Sequence, residues 1–297
     1  MADQFPQGPI PYRPAPEAPK LTWPGGNRVA VWIIPNIEWY SIEYNFGGSR
    51  GGMLPDVKNW SIREYGARVG VWRLMEAMDI VGARATVALN AWVCDVYPQI
   101  IEAGNKRDWE WMGHGLANTR PIIGRPIDEE REEIRQALDR IEQGTGARPQ
   151  GWLGPGLNES PNTRTLLQEA GLKYIADWPA DDRPFPISTD KGWIAGVPYS
   201  LIHNDTRMYD QTTFSPSEYR DQMCRAFDVL YRESERSANV FAIPIHPHLS
   251  GYPARTLAFE ELLRYVNGHP GVWWATGSEI ADSYLAQVGL PSWGPSP

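Results

Sequence analysis

Two hydrophobic periods alternate along the chain. Short runs of β-branched and aromatic residues read as strands, and between them apolar residues recur every three to four positions, as on one face of a helix. The pattern predicts strands over Val29–Ile34, Ala85–Leu89, Trp109–Met112, Gly151–Leu153, Lys173–Asp177, Ile194–Tyr199, Ala238–Ile245 and Val272–Ala275. Helices are predicted over Ile62–Met78, Ala91–Ala103, Asp128–Gln143, Asn162–Ala170, Ser217–Glu235, Leu257–Val266 and Ser278–Gln287. Ser61, Asp128 and Ser217 stand where N-caps are expected, and Gly82, Gly104 and Gly171 where helices close. Strands alternating with helices give an α/β fold with a largely parallel sheet. No G-x-G-x-x-G turn follows the first strand, so a (β/α) barrel is expected rather than a dinucleotide-binding sheet. Neither a linker nor a repeat divides the chain. One catalytic domain over residues 27–297 is expected, preceded by an extended proline-rich N-terminal arm over residues 1–26.

Composition narrows the partners. The formal charge of −8 comes without any basic run, which argues against nucleic acid or an anionic membrane and leaves a small-molecule substrate as the expected partner. The segment MADQFPQGPIPYRPAP has neither the basic start nor the apolar stretch of a secretory signal, and no later run would span a bilayer, so a cytoplasmic location is expected. Cys94 and Cys224 lie in predicted helices without C-x-x-C spacing, so neither a disulfide framework nor a thiolate zinc site is expected. Tryptophans 32, 39, 92, 152 and 178 either line an apolar pocket for a planar substrate or fill the core.

Candidate chemistry gathers at strand ends. His246 and His248 flank Pro247 directly after the run ending at Ile245, in a strand-to-helix loop. In barrels of parallel strands such loops hold the active site. Asn36 and Glu38 lie two apart at the end of the first strand and so on one face. His114 and Asn118 follow the third strand and would face the same way on a helical turn. Gly113 and Gly115 would let the backbone approach whatever His114 touches. Glu38, His114 and Asn118 are the candidate metal ligands, although asparagine is a poor zinc ligand and no H-x-x-x-H pair is present. Gly154-Pro155-Gly156 either presents backbone amides to an oxyanion or makes an ordinary turn. Asp177, Asp181, Asp182, His203 and Asp205 are polar groups at a further strand end or in loops, where capping and solvation explain them equally well. Arg68, among Arg63, Tyr65 and Arg73, either binds a substrate carboxylate or pairs with Glu64 or Glu76.

Five stretches, in this order, carry a resemblance: NIE at 36–38, REYGARVG at 63–70, ATVALNAWVCDVYPQII at 85–101, GHGLANTRP at 113–121 and HPHLSGYPAR at 246–255. They resemble the polysaccharide deacetylase superfamily, in the branch that contains metal-independent allantoinases and cyclic imide hydrolases. The resemblance runs from about Trp23 to the end. It implies a distorted (β/α) barrel of the polysaccharide deacetylase type with its site at the carboxyl ends of the strands. In the superfamily's ordinary deacetylases the first strand supplies an Asp pair, and an H-x-x-x-H pair completes an Asp-His-His metal site. The matching positions here are Asn36, Glu38, His114 and Asn118, and WLGPG stands where an R-x-P-x-G arginine is usual. An amide at position 36 cannot accept a proton as a carboxylate base would, and Asn118 removes a nitrogen donor. His246 matches the late-strand histidine that acts as general acid to the leaving amine.

The expected function is a hydrolase of non-peptide carbon–nitrogen bonds that opens a small cyclic amide, imide or ureide. Glu38 and His114 would activate water, and His246 or His248 would protonate the departing nitrogen. Asn36, Tyr65, Arg68, Asn118, Trp152, Pro155 and Arg255 are the expected substrate-binding residues. The cofactor expectation is either none or a weakly bound divalent metal, zinc among the candidates. Two alternatives stand beside this one: a metal-dependent N-deacetylase of an acetylated sugar or polysaccharide, and a non-catalytic small-molecule binding protein. The resemblance and the proline arm together suggest a homo-oligomer, a dimer or tetramer.

Overall fold

The computed structural model describes residues 8–44, 54–120, 122 and 124–290. Strand β1 (Val29–Ile37) leads to α1 (Val57–Tyr65), a π turn over Gly66–Gly70 and α2 (Val71–Asp79), which run on as one helical stretch. Next come β2 (Thr86–Leu89), α3 (Val93–Val96), α4 (Pro98–Asn105), β3 (Glu110–Gly113) and α5 (Ile127–Thr145). These are followed by β4 (Gly151–Trp152), α6 (Thr163–Glu169), β5 (Tyr174–Ile175), β6 (Phe185–Thr189), β7 (Gly192–Gly196) and α7 (Pro216–Glu233). The chain closes with β8 (Asn239–Ile245), α8 (Pro247–Ser250), α9 (Pro253–Asn267), β9 (Val272–Trp274) and α10 (Gly277–Gln287).

The sheet runs in the order β6-β7-β5-β4-β3-β2-β1-β8, with β9 also paired to β1. Every ladder is parallel except the β6–β7 hairpin. Beyond β8 the Val240 N–H donates to the Asp182 carbonyl at 2.9 Å, so a loop rather than a strand meets the last edge. The result is a mixed α/β half-barrel, the distorted (β/α) barrel expected from the sequence.

Period-two alternation fills both sides of the wall. From β1, Ala30, Trp32 and Ile34 point into the barrel with Ala88, Met112, Leu153, Tyr174 and Ala242. Val29, Val31 and Ile33 point outward under the helices. The order of inward residues decides what stands at the barrel mouth.

Several local expectations are corrected. The cap of α7 is Ser215, which forms a capping box with Glu218, and Ser217 lies inside the helix. Pro216 at the first helical position carries the φ a helix needs and starts it early. Asp56, not Ser61, caps α1, and Asp128 lies inside the first turn of α5, whose N-cap position is Pro126. The helix read over Ala91–Ala103 breaks at Tyr97, before Pro98, because proline cannot donate to the preceding turn. Strand β6 was not expected, since Pro186 reads as loop; the strand lies at the sheet edge, where a missing N–H is tolerated.

Residues 8–27 run along their own barrel. Leu21 and Trp23 are buried, the Ala238 N–H donates to the Leu21 carbonyl at 3.0 Å, and the Trp23 indole donates to the Asn239 carbonyl at 2.8 Å. Residues 1–7 of the predicted arm lie outside the described residues. Among the described residues no helix is long and apolar enough to cross a membrane.

Candidate active site

The inward series of three strands converge at one end of the barrel. Past Ile34, β1 brings Asn36 and then Glu38 to the mouth; past Met112, β3 brings His114; past Val240 and Ala242, β8 brings His246. Ladder bonds carry on into the loops: Asn90 N–H to Ile37 at 3.1 Å, His114 N–H to Leu89 at 3.1 Å, and Leu153 N–H to Gly113 at 2.9 Å. The ladder bonding therefore reaches the residues on which the polar groups stand. Asn36, Glu38, His114, Asn118, His246 and His248 line a single cavity of about 530 Å³.

Glu38 is the centre of this cavity. Its Oε1 lies 3.4 Å from His114 Nε2 and 3.9 Å from His246 Nε2. The Tyr40 hydroxyl donates to Oε2 at 2.7 Å and Asn118 Nδ2 to Oε1 at 2.5 Å. Burial raises the carboxyl pKa, but the hydrogen bond from His114 and the charges of His246 and His114 outweigh it and hold Glu38 far below the usual carboxylate range. His114 and Asn118 do not meet through a helical turn, because the segment after β3 is irregular. Asn90 brings Asn118 in instead, its Oδ1 accepting the Asn118 N–H at 3.0 Å and the Trp39 N–H at 2.9 Å.

Each catalytic-type imidazole is held by its far nitrogen. His114 Nδ1 donates to the Leu153 carbonyl at 2.5 Å, which turns Nε2 toward Glu38. His246 Nδ1 donates to Asp205 Oδ1 at 2.7 Å. Asp205 Oδ2 accepts the His246 N–H at 2.7 Å and the Ser250 hydroxyl at 2.6 Å. Burial works against the His246 charge, yet the charge and hydrogen bond of Asp205, then the charge of Glu38, raise its pKa above the ordinary histidine value. His248 behaves oppositely: burial, then the neighbouring His246 charge, push it down to about 3. It is a neutral imidazole. Gly66 and Gly70 in the π turn let α8 sit directly against the helical stretch; a Cβ on Gly66 would lie 2.6 Å from His248 N, and one on Gly70 would strike the Pro247 carbonyl oxygen.

The remaining sequence-predicted binding residues lie elsewhere. Trp152 is wholly buried in the outer core, over Gly113, whose missing side chain makes room for its ring rather than for anything at His114. Tyr65 stacks on Tyr252 with ring centroids 4.4 Å apart and accepts a hydrogen bond from Arg73 at 2.5 Å. Arg68 is exposed on the π turn. Arg255 lies over the Tyr209 ring at 4.1 Å and donates to the Leu249 carbonyl at 3.3 Å. Pro155 packs beside Gly115, while its neighbours Leu153, Gly156 and Leu157 line the cavity. Of the two readings of the Gly154-Pro155-Gly156 turn, the Gly154 N–H follows the structural one and donates to Asp177 Oδ1 at 2.6 Å. Burial, then the Glu159 charge, push Asp177 well above the usual carboxyl range, and its bond to Gly154 anchors the loop. Trp32 is core as well.

Sequence reasoning passed over Tyr40, Tyr199 and Asn90, and left Asp205 undecided. Tyr40 continues the alternation of Asn36 and Glu38 and was legible on that ground. Asp205 is 41 residues from His246, and no local spacing ties them.

The ordinary deacetylases that the sequence resembles hold a divalent metal, so the donor set matters. Asn118 turns its amide hydrogens toward Glu38, and its Oδ1 accepts from Asn90 Nδ2 at 3.0 Å, so no lone pair of this side chain faces the site. His114 offers one nitrogen, and both Glu38 oxygens already accept hydrogen bonds. Among the described residues no group of three His, Cys, Asp or Glu side chains has metal-holding geometry. Glu38, His114 and Asn118 do not fit the metal for which they were candidates.

Residues 64–175 match the family model described as polysaccharide deacetylase. A peptidoglycan deacetylase of Helicobacter pylori is 27% identical over 218 residues, covering 63% of this chain and 72% of the relative. Among solved structures, a probable polysaccharide deacetylase from Pseudomonas aeruginosa PAO1 superposes with a TM-score of 0.85 at 28% identity, covering 97% of this chain and 100% of that one. PuuE allantoinase superposes with a TM-score of 0.86 at 27% identity, with the same coverage of 97% and 100%.

Proposed function

We propose that this chain, of the polysaccharide deacetylase superfamily and its allantoinase-like branch, opens a small cyclic amide, imide or ureide by hydrolysing a ring carbon–nitrogen bond. Hydrolysis of non-peptide carbon–nitrogen bonds is the class of its deacetylase and allantoinase relatives. The ring-opening reading is carried by one observation: Glu38 stands between two oriented imidazoles, 3.4 Å from His114 Nε2 and 3.9 Å from His246 Nε2.

Water held between Glu38 and His114 is oriented by the carboxylate. The proton passes to Nε2 of His114, whose Nδ1–H is committed to the Leu153 carbonyl. The water oxygen bonds to the carbonyl carbon. As the tetrahedral adduct collapses, the carbon–nitrogen bond breaks and His246 Nε2–H delivers its proton to the departing nitrogen. Asp205 keeps Nδ1 protonated and aims Nε2 at the cavity. His248, neutral at working pH, is not the acid. Glu38 lies between both imidazoles and is placed to return the proton from His114 to His246. Arg63, over the Tyr40 ring at 4.5 Å, adds positive charge to the wall near the developing oxyanion.

An acid-release assay across cyclic imides, ureides and N-acetylated sugars, with and without chelator, tests the reading. Ring opening that survives chelation supports it. Acetate release abolished by chelation would replace it with a metal-dependent deacetylase, the second reading of the sequence.

A further inference from the structure

We infer that Asn36 and Tyr199 together read the –NH–C(=O)– edge of a ring, so that the substrate carries an unsubstituted ring nitrogen beside a carbonyl. The inference deepens the function proposed above and rests on it. Asn36 Nδ2 reaches two backbone carbonyls, Ile34 at 3.1 Å and Ile245 at 3.2 Å. A primary amide has two N–H bonds, and carbonyls can only accept. Those two carbonyls therefore claim both hydrogens and fix the amide, although the Tyr199 oxygen also lies 3.2 Å from Nδ2. Oδ1 is thereby turned the other way, where its partner is the Tyr199 hydroxyl at 3.4 Å, long for an O–H···O bond.

Tyr199 completes the pair. Its oxygen accepts from Asn204 Nδ2 at 2.9 Å, which leaves its hydrogen to be donated. Burial raises the phenol well above its ordinary range, so it remains a donor at any working pH. Both residues line the cavity that holds Glu38 and His246, and both are almost fully enclosed. The wall thus offers an acceptor and a donor side by side, and the bond between that acceptor and that donor is long. A ligand that brings an N–H to Asn36 Oδ1 and a carbonyl to the Tyr199 hydroxyl replaces that bond with two of ordinary length.

Geometry then selects the amide. An acyclic secondary amide is trans, with its N–H and C=O on opposite sides. A small ring forces the cis form and puts both on one edge. The same wall therefore favours lactams, imides and cyclic ureides over N-acetylated sugars, and it disfavours rings methylated at nitrogen, because a methyl leaves Asn36 Oδ1 buried without a donor.

The test compares succinimide, dihydrouracil and hydantoin with their ring-N-methylated counterparts, and with N-acetylglucosamine as the acyclic amide, by calorimetric binding and by turnover. On the unmutated chain at least one unsubstituted ring should be preferred over its methylated form by about tenfold or more, as expected where a site is built to hydrogen-bond a missing group. Tyr199→Phe should weaken binding of free and methylated rings alike, since both keep the carbonyl that it reads, without erasing the preference between them, and a circular dichroism melt confirms the fold; the ring comparison on the unmutated chain stands even where the variant does not fold. Equal handling of free and methylated rings, or binding of none of them, overturns the inference. Ring opening without methyl discrimination would sink the edge-reading and leave the hydrolase standing, whereas methyl-sensitive binding without turnover would sink the hydrolase alone.

Discussion

Asp205 grips His246 twice, its Oδ1 2.7 Å from Nδ1 of the ring and its Oδ2 2.7 Å from the backbone N–H of the same residue. One carboxylate thus fixes both where the histidine stands and which nitrogen carries the proton. Asp205→Asn should lower kcat/KM by about 10²-fold, the scale of lost acid–base catalysis. It should also move the alkaline limb of the pH profile to lower pH, since the charge that outweighs burial is removed. The linkage has a definite sign. A histidine whose folded pKa is raised contributes stability that is full below its unfolded pKa and is lost as pH rises through the folded one. Melting temperature followed across neutral pH should show that decline in the native chain and lose most of it in the variant.

His246→Gln and His248→Gln separate the two histidines. The first should cost about 10²-fold in turnover and abolish the alkaline limb. The second should leave that limb where it was, because burial and the His246 charge push His248 down to about 3 and it changes no charge at working pH. Rate profiles for the two variants decide the assignment, and a limb that vanishes in His248→Gln would reverse it.

Glu38→Gln should reduce turnover by about 10²-fold or more through loss of the charge between the imidazoles. Because the Glu38 pKa is depressed on folding, its contribution to stability is present above the unfolded carboxylate pKa and fades as pH falls through the folded value. Acid denaturation curves of native and variant chains should therefore diverge above the ordinary carboxylate range and converge at the lowest pH. Full activity in Glu38→Gln would remove it from the mechanism.

Gly70→Ala tests the support of the histidine loop. The added methyl meets the Pro247 carbonyl oxygen, backbone that has no rotamer to give way. Overpacking of this kind costs roughly 1–3 kcal/mol. A lowered melting temperature with reduced turnover is expected, while Gly82→Ala, where nothing stands within 4 Å but φ is +65°, should cost stability without touching activity.

Prolonged dialysis against a chelator should leave turnover unchanged, and added zinc should not raise it, since Asn118 presents hydrogens rather than a lone pair to the site. Metal content measured alongside activity checks this. Stoichiometric metal whose removal stops turnover would contradict the donor-set reasoning.

Much of this architecture was legible because period-two alternation is a local property. Ala30, Trp32, Ile34, Asn36 and Glu38 share a face by covalent geometry alone, so the first strand announces its own polar end, and the runs before His114 and His246 do the same. Helix starts were displaced where a proline or an earlier capping side chain set the boundary, as at Ser215 and Asp56. The helical-turn explanation for His114 and Asn118 failed although the two residues meet, because Asn90 on another loop draws Asn118 inward.

The sequence by itself thus determined the fold class, the strands and the polar residues that end them, because each follows from spacing along one segment. Only the tertiary structure decided which of those residues share a cavity and what state they hold. The pKa of His246 is raised and that of His248 lowered although they are two residues apart, since Asp205 bonds directly to one while burial and the neighbouring His246 charge depress the other. Trp152, Tyr65 and Arg255 carry the right chemistry for a binding site and pack elsewhere, while Arg68 stands exposed on the π turn. Side-chain charge and direction depend on groups far along the chain, and no periodicity encodes them.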